Sequence, residues 1–256
     1  MATGDASHPM EFSEVMNGTL YGIGLGPGDP ELMTLKAHRL ISSAKVIAYP
    51  APDTGESFAR SSAATTIPIR AREIPIVVPM RVDRFPAQEI YDKAAEEIAE
   101  VLESGENVVV LCEGDPFFFG SFMYLFDRLS RRFPCEVVPG VTSLTACAAQ
   151  LMRPLTSRND VLTVIPGPLP DVDIRAKIEE AQAVAIMKVG RNLPRLKALL
   201  EDINLLARDG YDDLASLPEQ KVFRLQDLDT DKAPYFSMIL IYKGDEAWTL
   251  PPSFSS

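Results

Sequence analysis

The chain has 256 residues with 25 basic and 36 acidic side chains, a formal net charge of −11, and 46% hydrophobic residues. That composition is typical of a globular protein with a substantial core, neither disordered nor collagenous, and the length suits one large or two small domains. It disfavours a general nucleic-acid binder, which needs clustered Lys and Arg, and no apolar run approaches the roughly 20 residues of a membrane-spanning helix. Cys112, Cys135 and Cys147 are odd in number and form no C-x-x-C pair, so neither a disulfide framework nor a cysteine zinc site is expected. His8 and His38 are too few for a His-ligated metal or a Ser-His-Asp relay, and no metal is expected.

Residues 1–17 carry Asp5, Glu11 and Glu14 without a basic or continuous apolar segment, and read as a disordered leader rather than a signal peptide. A cytoplasmic address follows. Residues 19–25 predict a strand that ends at Gly26, Pro27 and Gly28, after which Asp29-Pro30-Glu31 has the form of a helix start. Leu32, Leu35, Leu40, Ile41 and Ala44 recur near helical spacing. A short strand is expected at 45–49 and a loop at 50–62. Pro68, Pro75 and Pro79 make 67–80 extended edge segments rather than a central strand. Ile90, Ala94, Ile98 and Leu102 define an amphipathic helix that stops at Gly105.

Residues 107–112 are the most strand-like segment, an apolar run suited to a parallel sheet buried on both faces. The Glu113-Gly114-Asp115-Pro116 turn follows, then a helix at 121–131, a short strand at 136–138, Pro139-Gly140-Val141-Thr142-Ser143, and a helix of small residues through Ala149. Residues 153–160 read as a linker. Beyond it, strands are expected at 161–165, 183–189 and 237–243, with helices at 174–181 and 193–200. The rhythm is that of an α/β protein with two domains, an N-terminal one over 18–139 and a C-terminal one over 140–246, followed by a tail at 247–256.

The glycine-rich turn from Gly22 to Asp29 lets backbone come close to a ligand, yet its spacing fails the dinucleotide fingerprint: the third glycine falls on Pro27 or Asp29. Asp29 is either a helix N-cap or a working carboxylate. Glu113 and Asp115 sit where ligands of open α/β sheets bind, and serve either a tight turn or a bound amine or ribose. Phe117, Phe118 and Phe119 line a pocket or fill core, and Thr142 and Ser143 cap a helix or face a ligand. Charge is uneven, with a net +3 over residues 60–84 and −6 over 201–231.

In order and company, the 18–37 stretch, the 113–116 turn and the 139–143 turn resemble the three motifs of the tetrapyrrole methylases, the S-adenosylmethionine-dependent enzymes of corrin and sirohaem synthesis. The resemblance covers about residues 18–245. Within that family, residues 111–125 and 234–238 are similar to the branch that methylates carbon 20 of precorrin-2, giving precorrin-3A in cobalamin biosynthesis. Residues 209–217 depart from the Val-Glu-Arg-Ala-Thr-like stretch usual in that branch, so no contacts are assigned there.

The resemblance implies two α/β domains with the cofactor in the cleft between them, a homodimer, and a tetrapyrrole substrate. It places Glu113, Gly114, Asp115 and Phe118 on the methionine and ribose parts of S-adenosylmethionine, with Pro27, Thr142 and Ser143 beside them. Met187 comes near the adenine, Ser237 lines the cofactor, and S-adenosylhomocysteine is the product. Gly26 and Gly28 face the tetrapyrrole. The substrate's carboxylates make Arg70, Arg72, Arg81, Arg84 and Arg153 candidate partners, and Asp29 and Glu113 are the candidates for taking the proton from the methylated carbon. A metal-free or cobalt-bearing ring, another tetrapyrrole methylase, and more remotely a dehydrogenase-like nucleotide binder remain open alternatives.

Overall fold

The computed structural model describes residues 16–79, 85–206, 209–213, 221–228, 232–234 and 236–244. Two five-stranded sheets organise them. The first contains β1 (Leu20–Gly24), β2 (Val46–Ala51), β3 (Arg72–Val77), β4 (Val108–Cys112) and β5 (Cys135–Val138), in the spatial order β3-β2-β4-β1-β5 and parallel throughout. All five residues of β4 are buried, as a strand covered on both faces requires. Val108, Val110 and Cys112 pack with α3 (Phe85–Glu103) and α4 (Phe122–Leu129). Val109 and Leu111 point the other way, into a cluster with α1 (Leu35–Ser42) and α2 (Phe58–Ser62). The proline-broken β3 is indeed an edge strand, with Pro75 opposite Tyr49 of β2.

Two local expectations change. Asp29-Pro30-Glu31 starts only a 3₁₀ turn (Pro30–Leu32), and the α-helix begins at Leu35 behind Thr34, whose hydroxyl accepts from the Ala37 N–H. The expected loop at 50–62 contains α2, whose N-cap is Ser57: its hydroxyl accepts from the Arg60 N–H at 3.2 Å and donates to the Pro50 carbonyl.

After β5 the chain leaves the first sheet. Its next helix, α5 (Ser143–Gln150), lays Leu144, Cys147 and Ala148 against Ala185, Met238 and Leu240 of the second sheet. That sheet holds β6 (Leu162–Pro166), β7 (Ala183–Met187), β8 (Asp209–Asp213), β9 (Lys221–Phe223) and β10 (Ser237–Tyr242), ordered β6-β7-β10-β8-β9, with only β6 and β7 parallel. Its other face is covered by α6 (Asp171–Glu180) and α7 (Leu193–Asp202) through Ile174, Ile178, Leu193, Leu196 and Leu200. Among the described residues no helix is long and apolar enough to cross a membrane. Residues 1–15, the 247–256 tail and part of the 209–217 stretch lie outside the described residues.

Candidate active site

In a parallel sheet the loops that leave the carboxyl ends of the strands gather at one edge, and a crevice opens where neighbouring strands send their connections to opposite faces. β1 and β4 are such a pair, because the chain after β1 enters α1 on one face and the chain after β4 enters α4 on the other. Their loops are joined there by two backbone hydrogen bonds, Gly114 N–H to Gly26 O at 2.8 Å and Gly26 N–H to Gly114 O at 3.2 Å. Both residues adopt the left-handed region, with φ of 83° at Gly26 and 63° at Gly114.

The β5 loop closes on the same point. A Cβ on Gly140 would lie 2.0 Å from the Gly114 carbonyl oxygen, and one on Gly24 would lie 2.5 Å from the Gly140 nitrogen, so three backbones touch where side chains would normally separate them. Asp115 locks this contact. One carboxylate oxygen accepts the Phe117 N–H at 2.9 Å and the other the Gly140 N–H at 3.0 Å, tying the second motif to the third.

A cavity of about 410 Å³ opens over this junction, within the usual range for small-molecule sites. Pro27, Glu113, Gly114, Asp115, Phe118, Thr142, Ser143, Met187 and Ser237, the residues assigned to the cofactor by resemblance, all line it. They come from both sheets because β10 runs antiparallel to β7, so the start of β10 lies beside the end of β7. Two hydroxyls are already engaged: Thr142 caps α5, accepting from the Thr145 N–H, and Ser237 donates to the Pro234 carbonyl at 2.7 Å. Glu113 is partly buried, and desolvation raises its carboxyl pKa against the opposing pull of its own N–H and that of Ala59.

The other expectations fare differently. Asp29 does not line the cavity; its carboxylate accepts the Glu31 N–H at 2.8 Å, so the capping alternative describes the structure and the proton-acceptor assignment is set aside. Gly26 reaches the site through its backbone bonds to Gly114, while Gly28 is buried beyond the lining. Arg70 and Arg72 lie at the amino end of β3, the edge of the sheet away from the cavity, and Arg72 pairs with Glu97 at 2.7 Å. Arg153 is 4% exposed, with its guanidinium over the Tyr242 ring, and does not reach the lining. Arg81 and Arg84 lie outside the described residues. Replacing Arg72 with Ala is expected to change stability by less than about 0.5 kcal/mol and to leave KM for the acceptor within twofold of wild type in steady-state assays.

Sequence reasoning missed the part of the wall that comes from α2 and from Lys188. Phe58 of α2 meets Phe236, beside β10, with ring centroids 4.6 Å apart, and both line the cavity. Behind it, α2 is strapped to the first sheet by Glu73, which accepts from Arg60 through Nε and a terminal nitrogen, both at 3.1 Å, and from the Tyr49 hydroxyl at 2.7 Å. The Arg60 and Tyr49 hydrogen bonds hold Glu73 below the ordinary carboxylate pKa. A lowered pKa stabilises the fold above the unfolded value and loses that contribution as pH falls through the folded one. Glu73→Gln is therefore expected to cost about 1 kcal/mol near neutrality, discounted for partial exposure. In urea melts the gap between variant and wild type should close below the normal carboxylate range.

An open-sheet site of this kind, built from glycine turns, paired carboxylates and apolar walls, defines a small-molecule enzyme of α/β type. Comparison with known proteins narrows the class. A family model described as Tetrapyrrole (Corrin/Porphyrin) Methylases matches residues 19–228, and the chain belongs to that family. A Sinorhizobium protein named precorrin-2 C(20)-methyltransferase is 35% identical over 90% of this chain and 97% of its own. The Mycobacterium tuberculosis cobalamin biosynthesis protein CobIJ is 39% identical over 89% of this chain, which spans 46% of that relative's length. Among solved structures, uroporphyrin-III C-methyl transferase from Thermus thermophilus complexed with S-adenosyl homocysteine is 25% identical, with a TM-score of 0.63 over 87% of this chain and 97% of that one.

Proposed function

We propose that the chain is an S-adenosylmethionine-dependent C-methyltransferase that methylates precorrin-2 at carbon 20 to give precorrin-3A in cobalamin biosynthesis, working as a cytoplasmic homodimer. The observation that carries the reading is the cavity over the β1, β4 and β5 turns, lined from both sheets by Glu113, Asp115, Thr142, Met187 and Ser237. Its donor set suits the cofactor. Acidic oxygens match an ammonium, a sulfonium and ribose hydroxyls, Phe118, Met187 and Met238 offer apolar surface for adenine, and Gly114 leaves open space where a Cβ would stand.

When bound, S-adenosylmethionine supplies a methyl group on a positively charged sulfur. The ring carbon is electron-rich enough to be the nucleophile, so the protein's task is to hold it in line and exclude water. Transfer of that methyl to carbon 20 would leave the cofactor as a neutral thioether and would release the proton on carbon 20. Glu113 accepts it: its carboxylate lines the cavity, and its raised pKa makes it a stronger base than an ordinary carboxylate. Asp115, with both oxygens bound to backbone N–H groups, keeps the two loops in register.

Anaerobic incubation with S-adenosylmethionine and, separately, metal-free and cobalt-bearing precorrin-2 tests the reading through the mass and absorbance of the ring. A gain of one methyl group on either ring supports it, and the faster ring identifies the substrate form. Cofactor binding with no methylation of either ring would reject the substrate assignment and leave another tetrapyrrole as acceptor.

A further inference from the structure

Lys188 follows β7 and lines the cavity, where it is the only lysine or arginine among the described lining residues, against the carboxyl groups of Glu56, Glu113 and Asp115. Its backbone is in the left-handed region at φ 56°, and so is that of Phe119, at φ 57°, which also lines the cavity. A lysine and a phenylalanine gain nothing locally from that conformation, which the surrounding structure has to hold. The two strained residues meet: the Lys188 ammonium stands 5.0 Å from the centre of the Phe119 ring. Asn192 supports the turn by donating from Nδ2 to the Lys188 carbonyl. Neither residue is committed to core, since Lys188 is partly buried and Phe119 is exposed. Among the described residues no carboxylate lies within ion-pairing distance of the ammonium, so the cavity keeps a positive group on an aromatic rest beside open space.

We propose that Lys188 is the carboxylate-binding group of this cavity, held by the Phe119 ring until a ligand carboxylate takes the ammonium. The inference rests on the methyltransferase reading, under which that carboxylate belongs either to the methionine part of the cofactor or to an acid side chain of the tetrapyrrole. Both offer the same chemistry, an anionic pair of oxygens accepting charge-assisted hydrogen bonds.

The test is calorimetric titration of the intact protein with S-adenosylhomocysteine and with its decarboxylated analogue, alongside KM for the tetrapyrrole. The variants are Lys188→Asn, which tolerates the left-handed backbone, and Lys188→Arg, which keeps the cation. If the cofactor supplies the carboxylate, Lys188→Asn weakens S-adenosylhomocysteine binding about tenfold or more, leaves the decarboxylated analogue unchanged, and Lys188→Arg restores most of the loss. If the tetrapyrrole supplies it, cofactor affinity stays constant while the acceptor KM rises about tenfold in Lys188→Asn and recovers in Lys188→Arg. Changes below twofold in both measurements, or an arginine variant no better than asparagine, would overturn the proposal. Failure of the wild-type protein to bind S-adenosylhomocysteine would instead remove the methyltransferase reading beneath it.

Discussion

Replacing Gly140 with Ala is expected to destabilise the protein by roughly 3 kcal/mol, the upper end of the usual cost of overpacking, and to abolish cofactor binding. The added Cβ would fall 2.0 Å from the Gly114 carbonyl oxygen and 2.9 Å from the Gly24 Cα, both backbone atoms with no rotamer to move. The β5 loop has to back away, and in doing so it withdraws its N–H from Asp115 and carries Thr142 and Ser143 off the cavity wall. Thermal unfolding should show a midpoint lowered by roughly 5–10 °C, with calorimetry finding no S-adenosylhomocysteine binding. Gly114→Ala is the informative comparison. Nothing stands within 4 Å of its would-be Cβ, so its cost is only that of a non-glycine residue at φ 63°, about 1–2 kcal/mol. A Gly140→Ala protein with wild-type stability and binding would show that the three-glycine junction does not hold the site together.

Glu113→Gln is expected to lower kcat by about 10²–10⁴, the usual contribution of a positioned proton acceptor, while S-adenosylhomocysteine affinity changes much less. The sign of the pH effect follows from the raised pKa. A base must be deprotonated to act, so wild-type activity should fall on the acid side at a pH above the ordinary carboxylate range, and that limb should vanish in the amide variant. A variant that retains wild-type turnover across the pH range would mean that water or another group receives the proton.

Much of the first sheet was legible because its signals are local. The unbroken 107–112 run reads as a strand covered on both faces, and Pro75 marks an edge. The nine positions assigned to the cofactor by motif resemblance share one cavity, and what unites them is tertiary: carboxyl ends of parallel strands on one side, and on the other an antiparallel β10 that brings Ser237 back beside Met187. What failed to show in the sequence lacks a local signal. Helix α2 is a single turn fixed by the Ser57 cap and the Glu73 ion pair, and β8 is an acidic segment whose pairing is supplied by β10. The left-handed backbones of Phe119 and Lys188 have no counterpart in residue type at all.

Arg70, Arg72 and Arg153 stand away from the cavity for a geometric reason. Local charge says nothing about which end of a strand a residue occupies. Arg70 precedes β3 and Arg72 begins it, and the amino end of a parallel strand lies at the edge opposite the ligand crevice. Arg153 is drawn inside by packing against Tyr242.

The most direct test of methyl transfer to the ring is to run the reaction with S-adenosylmethionine carrying a ¹³C-labelled methyl group and to locate the label in the tetrapyrrole product by NMR. Methylation at carbon 20 gives one new methyl resonance, correlated with carbon 20. Label at a different ring carbon, or none in the ring while the cofactor is bound, would contradict it.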